Sequence, residues 1–168
     1  MFTTEMVKCC SKHSPAGLKW TTPFLSTHSR THFTLYNLFY DYETYWANSY
    51  SLRGMPTIQY VRDERFQVHS CAFKCEELWG EETKYFERGA GLEEFIHGIP
   101  WDKVNAIAHN NYFDSMITWE HFNRRPATYG CTLAMARAVF PFAESRALDA
   151  LSKMLGGRGK AEVDLAKV

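Results

Sequence analysis

The sequence predicts an α/β fold built on a mixed β-sheet, and three observations carry that reading. Three extended apolar segments come first. Two short apolar strands follow, each running into a segment with helical spacing. The chain has 168 residues, 45% of them hydrophobic and 15% aromatic, enough to bury about 70% of its unfolded surface. Neighbouring extended segments favour an antiparallel meander, whereas strands separated by helices require parallel pairing through a crossover.

The elements follow in order. Leu35 to Glu43 is an aromatic-rich apolar run, and Arg65 to Cys75 and Thr83 to Arg88 continue it as extended segments joined by short turns. Gly91 to Ile96 begins a short helix, and Val104 to Ala108 is a short apolar strand. From Tyr112 to Phe122 the apolar residues Phe113, Met116, Ile117 and Trp119 recur at helical spacing. Tyr129 to Thr132 is a fifth extended piece. Helical spacing returns in Leu133 to Val139 and again at Leu148, Leu151 and Leu155, closed by Gly156 and Gly157 as a C-terminal cap. Three antiparallel strands followed by parallel ones match the order of an RNase H-like (ribonuclease H superfamily) five-stranded mixed sheet with flanking helices.

Composition narrows the classes. Nineteen Lys and Arg balance nineteen Asp and Glu, so no overall basic field draws phosphates, and nucleic-acid binding needs a local site. No apolar run reaches the roughly 18 residues of a membrane span. Five cysteines, Cys9, Cys10, Cys71, Cys75 and Cys131, form no even framework and follow no signal peptide, so a reduced cytoplasmic setting is expected. Cys71 and Cys75 lie in one strand, roughly 13 Å apart when extended, too far for a disulfide or one tetrahedral ion; they read as half-buried small hydrophobes. Residues 1–34 are rich in Ser, Thr, Lys and His with a single acid, Glu5, and are expected to form a loose extension to a domain spanning 35–168. A zinc site from Cys9, Cys10, His13, His28 and His32 is disfavoured by the adjacent cysteines, which cannot reproduce the usual gap.

Two constellations can carry chemistry. In Phe39-Tyr40-Asp41-Tyr42-Glu43-Thr44, two acids sit one residue apart at a strand end, on the same face by period two. Paired carboxylates repel, so a cation between them is the natural occupant, and hard oxygen ligands suit Mg²⁺ or Mn²⁺. The bland reading is a solvated strand end. In Ala108-His109-Asn110-Asn111-Tyr112-Phe113-Asp114, a strand runs into a helix with an acid in its first turn. Capping by Asn110 or Asn111 and a favourable Asp114 at the helix's positive end would explain it without any ligand. If the two strands are parallel neighbours, however, Asp114 arrives at the sheet edge that carries Asp41 and Glu43.

These residues resemble a known family. Asp41-Tyr42-Glu43-Thr44 is similar to the first motif, and Asn110-Asn111-Tyr112-Phe113-Asp114 to the second, of DnaQ-like DEDD 3′-to-5′ exonucleases, particularly the proofreading domains of phage and bacterial family A DNA polymerases. Tyr129 to Arg137 and Leu148 to Gly156 resemble the family's run towards its third motif. The resemblance implies a magnesium- or manganese-dependent 3′-to-5′ exonuclease acting on single-stranded DNA ends, with two metals held by four carboxylates. Asp41, Glu43 and Asp114 would be three of these. Thr44 would lie against the terminal nucleotide, and Tyr42, Tyr45 or Phe113 would stack on a base or ribose, with Asn110 beside them; burial in the core is the competing fate of each ring.

The chain also departs from the pattern. The family's third motif places Tyr-x-x-x-Asp or His-x-x-x-x-Asp after the helix that ends at Gly156, and residues 158–168 contain neither Tyr nor His, with Glu162 and Asp164 as the only acids. His97 and Asp102 have the right spacing but precede the second motif. The expectation is a domain truncated before its third motif, a fragment of a phage-type polymerase that needs the absent segment or a polymerase partner. The alternative is a non-catalytic nucleic-acid-binding or scaffold remnant of the same fold.

Overall fold

The computed structural model describes residues 35–157. The expectations for residues 1–34 and for Glu162 and Asp164 fall outside them. Strand β1 (Tyr36–Thr44) leads through α1 (Thr57–Arg62) to β2 (Val68–Lys74); α2 (Glu76–Trp79) and β3 (Thr83–Glu87) follow. Next come α3 (Ala90–Gly98), a one-turn 3₁₀ helix (Trp101–Lys103), β4 (Val104–Ala108) and α4 (Asn111–Phe122). The last elements are β5 (Thr128–Cys131), α5 (Thr132–Val139) and α6 (Leu148–Met154). The sheet order is β3-β2-β1-β4-β5, antiparallel from β1 to β3 and parallel from β1 through β4 to β5. This is the five-stranded mixed sheet that the sequence predicts, with flanking helices.

Alternation decides what β1 buries. Leu38, Tyr40 and Tyr42 point into the core, while Phe39, Asp41 and Glu43 are exposed on the other face. Phe73 of β2, Val104 and Ala106 of β4, Leu92 and Ile96 of α3 and Ile117 of α4 complete that core. Trp101 locks the turn into β4 by donating its indole N–H to the Ile96 carbonyl at 2.8 Å, which satisfies the one polar atom of a buried ring.

Some local expectations need correction. The β1–β2 connection is not a short turn: it carries α1 and a tyrosine cluster in which Tyr50 stacks on Tyr60 at 4.4 Å between centroids. Strand β2 starts three residues later than expected, because the Asp63 carboxylate accepts from the Arg65 backbone N–H at 3.0 Å and holds a turn there. The short helix α2 also lies within the expected β2–β3 turn. Cys71 and Cys75 are fully rather than half buried. The glycine cap of α6 is as expected: Gly156, at φ 83°, donates to the Lys153 carbonyl and Gly157 to that of Ser152, at 3.1 and 2.7 Å. That pair of bonds ends a helix on a left-handed residue. Among the described residues no helix is long and apolar enough to cross a membrane.

Candidate acidic site at the end of β1

The site arises from a mismatch in strand length. Strand β4 pairs with β1 only over Tyr36 to Phe39, yet β1 runs on to Thr44 against β2. Beyond Phe39 the β4-facing edge of β1 needs other partners, since buried backbone donors are almost always satisfied. Helix α4 supplies one. Asp114, in its first turn and 2% exposed, accepts the Tyr42 backbone N–H at 3.1 Å. That places the third acid against the backbone of the residue between Asp41 and Glu43.

The electrostatics follow. The Asp114 carboxyl is raised from an ordinary 3.8 to about 7, first by burial and further by the negative charges of Asp41 and Glu43, with the Tyr42 N–H working in the opposite direction. Both strand acids therefore act on Asp114, although they face the side of the sheet away from the core. Among the described residues no three His, Cys, Asp or Glu side chains stand together as a group that could hold a metal ion. What the structure offers is hard oxygen donors of like charge, one of them buried, the donor chemistry that suits Mg²⁺ or Mn²⁺.

The turn that delivers Asp114 depends on two asparagines in unexpected ways. Neither caps α4 with its side chain. Asn110 instead takes the left-handed conformation, φ 69° and ψ 48°, and bends the chain from β4 into the helix; asparagine is among the few side-chain-bearing residues that accept this readily. Asn111 is 3% exposed and bridges three strands. Its Nδ2 donates to the carbonyls of Ala106 and Gly130, both at 2.7 Å, and its Oδ1 accepts the Tyr40 hydroxyl at 2.7 Å. A Cβ at Gly130 would meet the Ile107 side chain at 3.0 Å, so the glycine lets β5 lie close against β4.

The other candidates divide between core and rim. Tyr42 is a core residue: its ring stacks near Phe122 and its hydroxyl meets Thr118 Oγ1 at 3.3 Å, leaving no face for a base. Phe113 is partly buried against Tyr60. Tyr45 stays at the surface, 38% exposed, beside Tyr50 and His69. Thr44 Oγ1 lies 3.0 Å from the Tyr60 hydroxyl, which donates its own proton to the Tyr45 carbonyl. Tyr60 thus ties both residues after Glu43 to α1. Sequence reading missed Tyr60 and the roles of Tyr40, His109 and Asn111, the last read only as a cap. His109 joins β4 to the α5 end of the molecule, with Nδ1 3.0 Å from Thr132 Oγ1 and Nε2 3.0 Å from the Arg146 carbonyl.

No family model matches the chain, and no curated protein sequence does. Solved structures do. NrnC of Brucella melitensis with bound Mg²⁺ superposes at TM-score 0.54, with 14% identity over 82% of this chain and 62% of that one. NrnC of the same organism bound to pGG gives 0.55 and 15% over the same shares. The apo form of a nuclease gives 0.51 and 18%, over 71% of this chain and 52% of its own. At such identities the likeness shows the fold, which is RNase H-like. The chain spans about three-fifths of the length of NrnC.

Proposed function

We propose that the acids at the end of β1 form a metal-dependent nuclease site of the DnaQ-like 3′-to-5′ exonuclease type, acting on nucleic-acid ends. The observation that carries it is the Asp114 carboxyl, bonded to the backbone between Asp41 and Glu43 and raised to about 7 by its burial and further by their charges. Structural acids seldom combine burial with two like-charged neighbours, whereas sites for divalent cations regularly do. Neighbours in fold that include a nuclease and an NrnC with bound Mg²⁺ support the same reading.

Asp41, Glu43 and Asp114 would hold Mg²⁺ or Mn²⁺. The metal would supply charge for an attacking water and for the leaving oxygen of a phosphodiester. The chain's own residues do the positioning. Asp114 is fixed by the Tyr42 N–H and by the Asn110 turn, and Thr44 and Tyr45 are fixed by Tyr60 where a terminal nucleotide would rest. A proofreading role beside a DNA polymerase, in the cytoplasm, is the finer form of the proposal, resting on the resemblance of both motifs.

Two measurements on the full chain test this. Mn²⁺ titration by calorimetry should show binding that Asp41→Ala weakens at least tenfold, and a 3′-labelled single strand should be shortened only with Mn²⁺ or Mg²⁺ present. Metal binding without cleavage would favour the non-catalytic, nucleic-acid-binding reading. No Mn²⁺ binding at millimolar concentration would overturn the nuclease reading.

A further inference from the structure

Two hollows adjoin at α4, one along its outer face and the other past its C-terminal end. The first, about 370 Å³, opens between α1, α4 and β5, and Tyr112, Trp119 and Tyr129 line it. The second, about 480 Å³, lies where α3 and α4 end, with His97, Arg124 and Arg125 in its lining. They share a wall, because the Arg125 guanidinium lies over the Trp119 ring.

Each hollow has an asset that folding leaves unspent. The fold buries Tyr40, Tyr42, Tyr50 and Tyr60, yet Tyr112 is 59% and Tyr129 52% exposed on the same groove. That groove's own charges cancel, since Arg62 and Glu120 pair at 2.8 Å, so what it presents is aromatic surface. In the second hollow two arginines outnumber the single acid, Asp102. Among the described residues no carboxylate pairs with Arg124 or Arg125. Arg124 donates at 2.6 Å to His97 Nδ1, and its Nε is out of water with no partner. That unmet donor is costly, and the positive charge of the two guanidiniums is left uncompensated by any carboxylate.

We propose that this face of α4 is a track for a single nucleic-acid strand, with bases stacking on Tyr112 and Tyr129 and backbone phosphates held by Arg124 and Arg125. The track deepens the nuclease reading and rests on it for the identity of the strand: α4 buries Asp114 in its first turn against β1 and carries Tyr112 and Trp119 on its opposite, outer face, so a strand engaged at the acids would cross the first turn of the helix to reach the track. The 12 residues of α4 extend roughly 17 Å at 1.5 Å per residue, long enough to engage several nucleotides. Stacking aromatics joined to a basic groove bind single strands without regard to sequence, as an enzyme acting on arbitrary ends needs.

The test is fluorescence anisotropy in EDTA, where no strand is cut, with labelled dT12 and a labelled dinucleotide on the full chain. The wild type should bind dT12 the more tightly. The double variant Arg124→Ala, Arg125→Ala should lose tenfold or more of that affinity and lower the salt slope by up to about two. Tyr112→Ala with Tyr129→Ala should also lose about tenfold, and the Phe substitutions at both positions should restore it. Dinucleotide binding should not change in any variant. Thermal melting of each variant controls for misfolding, and the Phe and Arg→Lys versions keep the comparison open where alanine unfolds the chain. Equal dT12 affinity in wild type and folded variants, or no dT12 binding by the wild type, overturns the track. Digestion with Mn²⁺ separates the two ideas: track-dependent binding without Asp41-dependent cleavage removes the nuclease reading alone, and Asp41-dependent cleavage with unaffected variants removes the track alone.

Discussion

Replacing Asp114 by Asn should stabilise the metal-free chain at pH 8 and destabilise it by about 1 kcal/mol at pH 4.5, where little of the ionisation cost has yet fallen on the wild type. Asn is the same shape, and its Oδ1 can still accept the Tyr42 N–H that Asp114 accepts at 3.1 Å. What disappears is a charge that burial and the neighbouring Asp41 and Glu43 oppose, the same influences that raise the carboxyl from 3.8 to about 7. Between those two values the folded chain holds a proton that the unfolded chain has released, so stability falls as pH rises through that window and stays reduced above it. At about 1.4 kcal/mol per tenfold change in proton affinity, the full ionisation cost is about 4 kcal/mol. Part of it returns in the variant because the new amide needs an acceptor of its own, so a gain of about 2 kcal/mol at pH 8 is expected. Urea unfolding followed by tryptophan fluorescence at both pH values measures it. A variant less stable than the wild type at pH 8, or a difference unaffected by pH, would show that the buried acid is stabilised by something other than a proton. Millimolar Mn²⁺ should reverse the order, since the ion stabilises only a chain that binds it.

Three further outcomes follow from the geometry. Asn111→Ala removes the partner of the Tyr40 hydroxyl and of two strand carbonyls, and should lower stability in urea by about 3 kcal/mol. Tyr42→Phe loses only the long contact to Thr118; it should cost about 1 kcal/mol by thermal melting and leave oligonucleotide affinity unchanged, because the ring is core. Deleting residues 1–34 is expected to leave the melting temperature nearly unchanged; a loss beyond about 2 kcal/mol, typical of core damage, would count against an extension outside the folded domain.

The strands were legible because each carries its own signal. Val104–Ala108 is apolar at every position but Asn105, and Leu38, Tyr40 and Tyr42 alternate with polar or exposed neighbours. Helix α1 was not, since six residues, Thr57–Arg62, make fewer than two turns and show no period. The acids could be found at the right strand and helix, but not the device that joins them, because the shortness of β4 relative to β1 appears only once the strands pair. The asparagines misled for a physical reason. Capping is the commonest use of Asn at a helix start, but a left-handed backbone at Asn110 and a buried side chain at Asn111 both depend on tertiary surroundings. The paired asparagines between a strand and a helix were the available signal.

Asn111 also bears on the order in which the chain folds. Its three bonds reach partners 5, 19 and 71 residues away, so they cannot all form until β1, β4 and β5 have assembled around it. Closing so long a loop is slow, and contacts of that separation belong to the late part of a folding reaction. Weakening them should speed unfolding more than it slows folding. The Tyr42 amide held by Asp114, which also joins β1 to α4, should then exchange with solvent through a partial opening, ahead of the amides that wait for the whole domain to open. The acids would come together as one of the last acts of folding and separate as one of the first acts of unfolding.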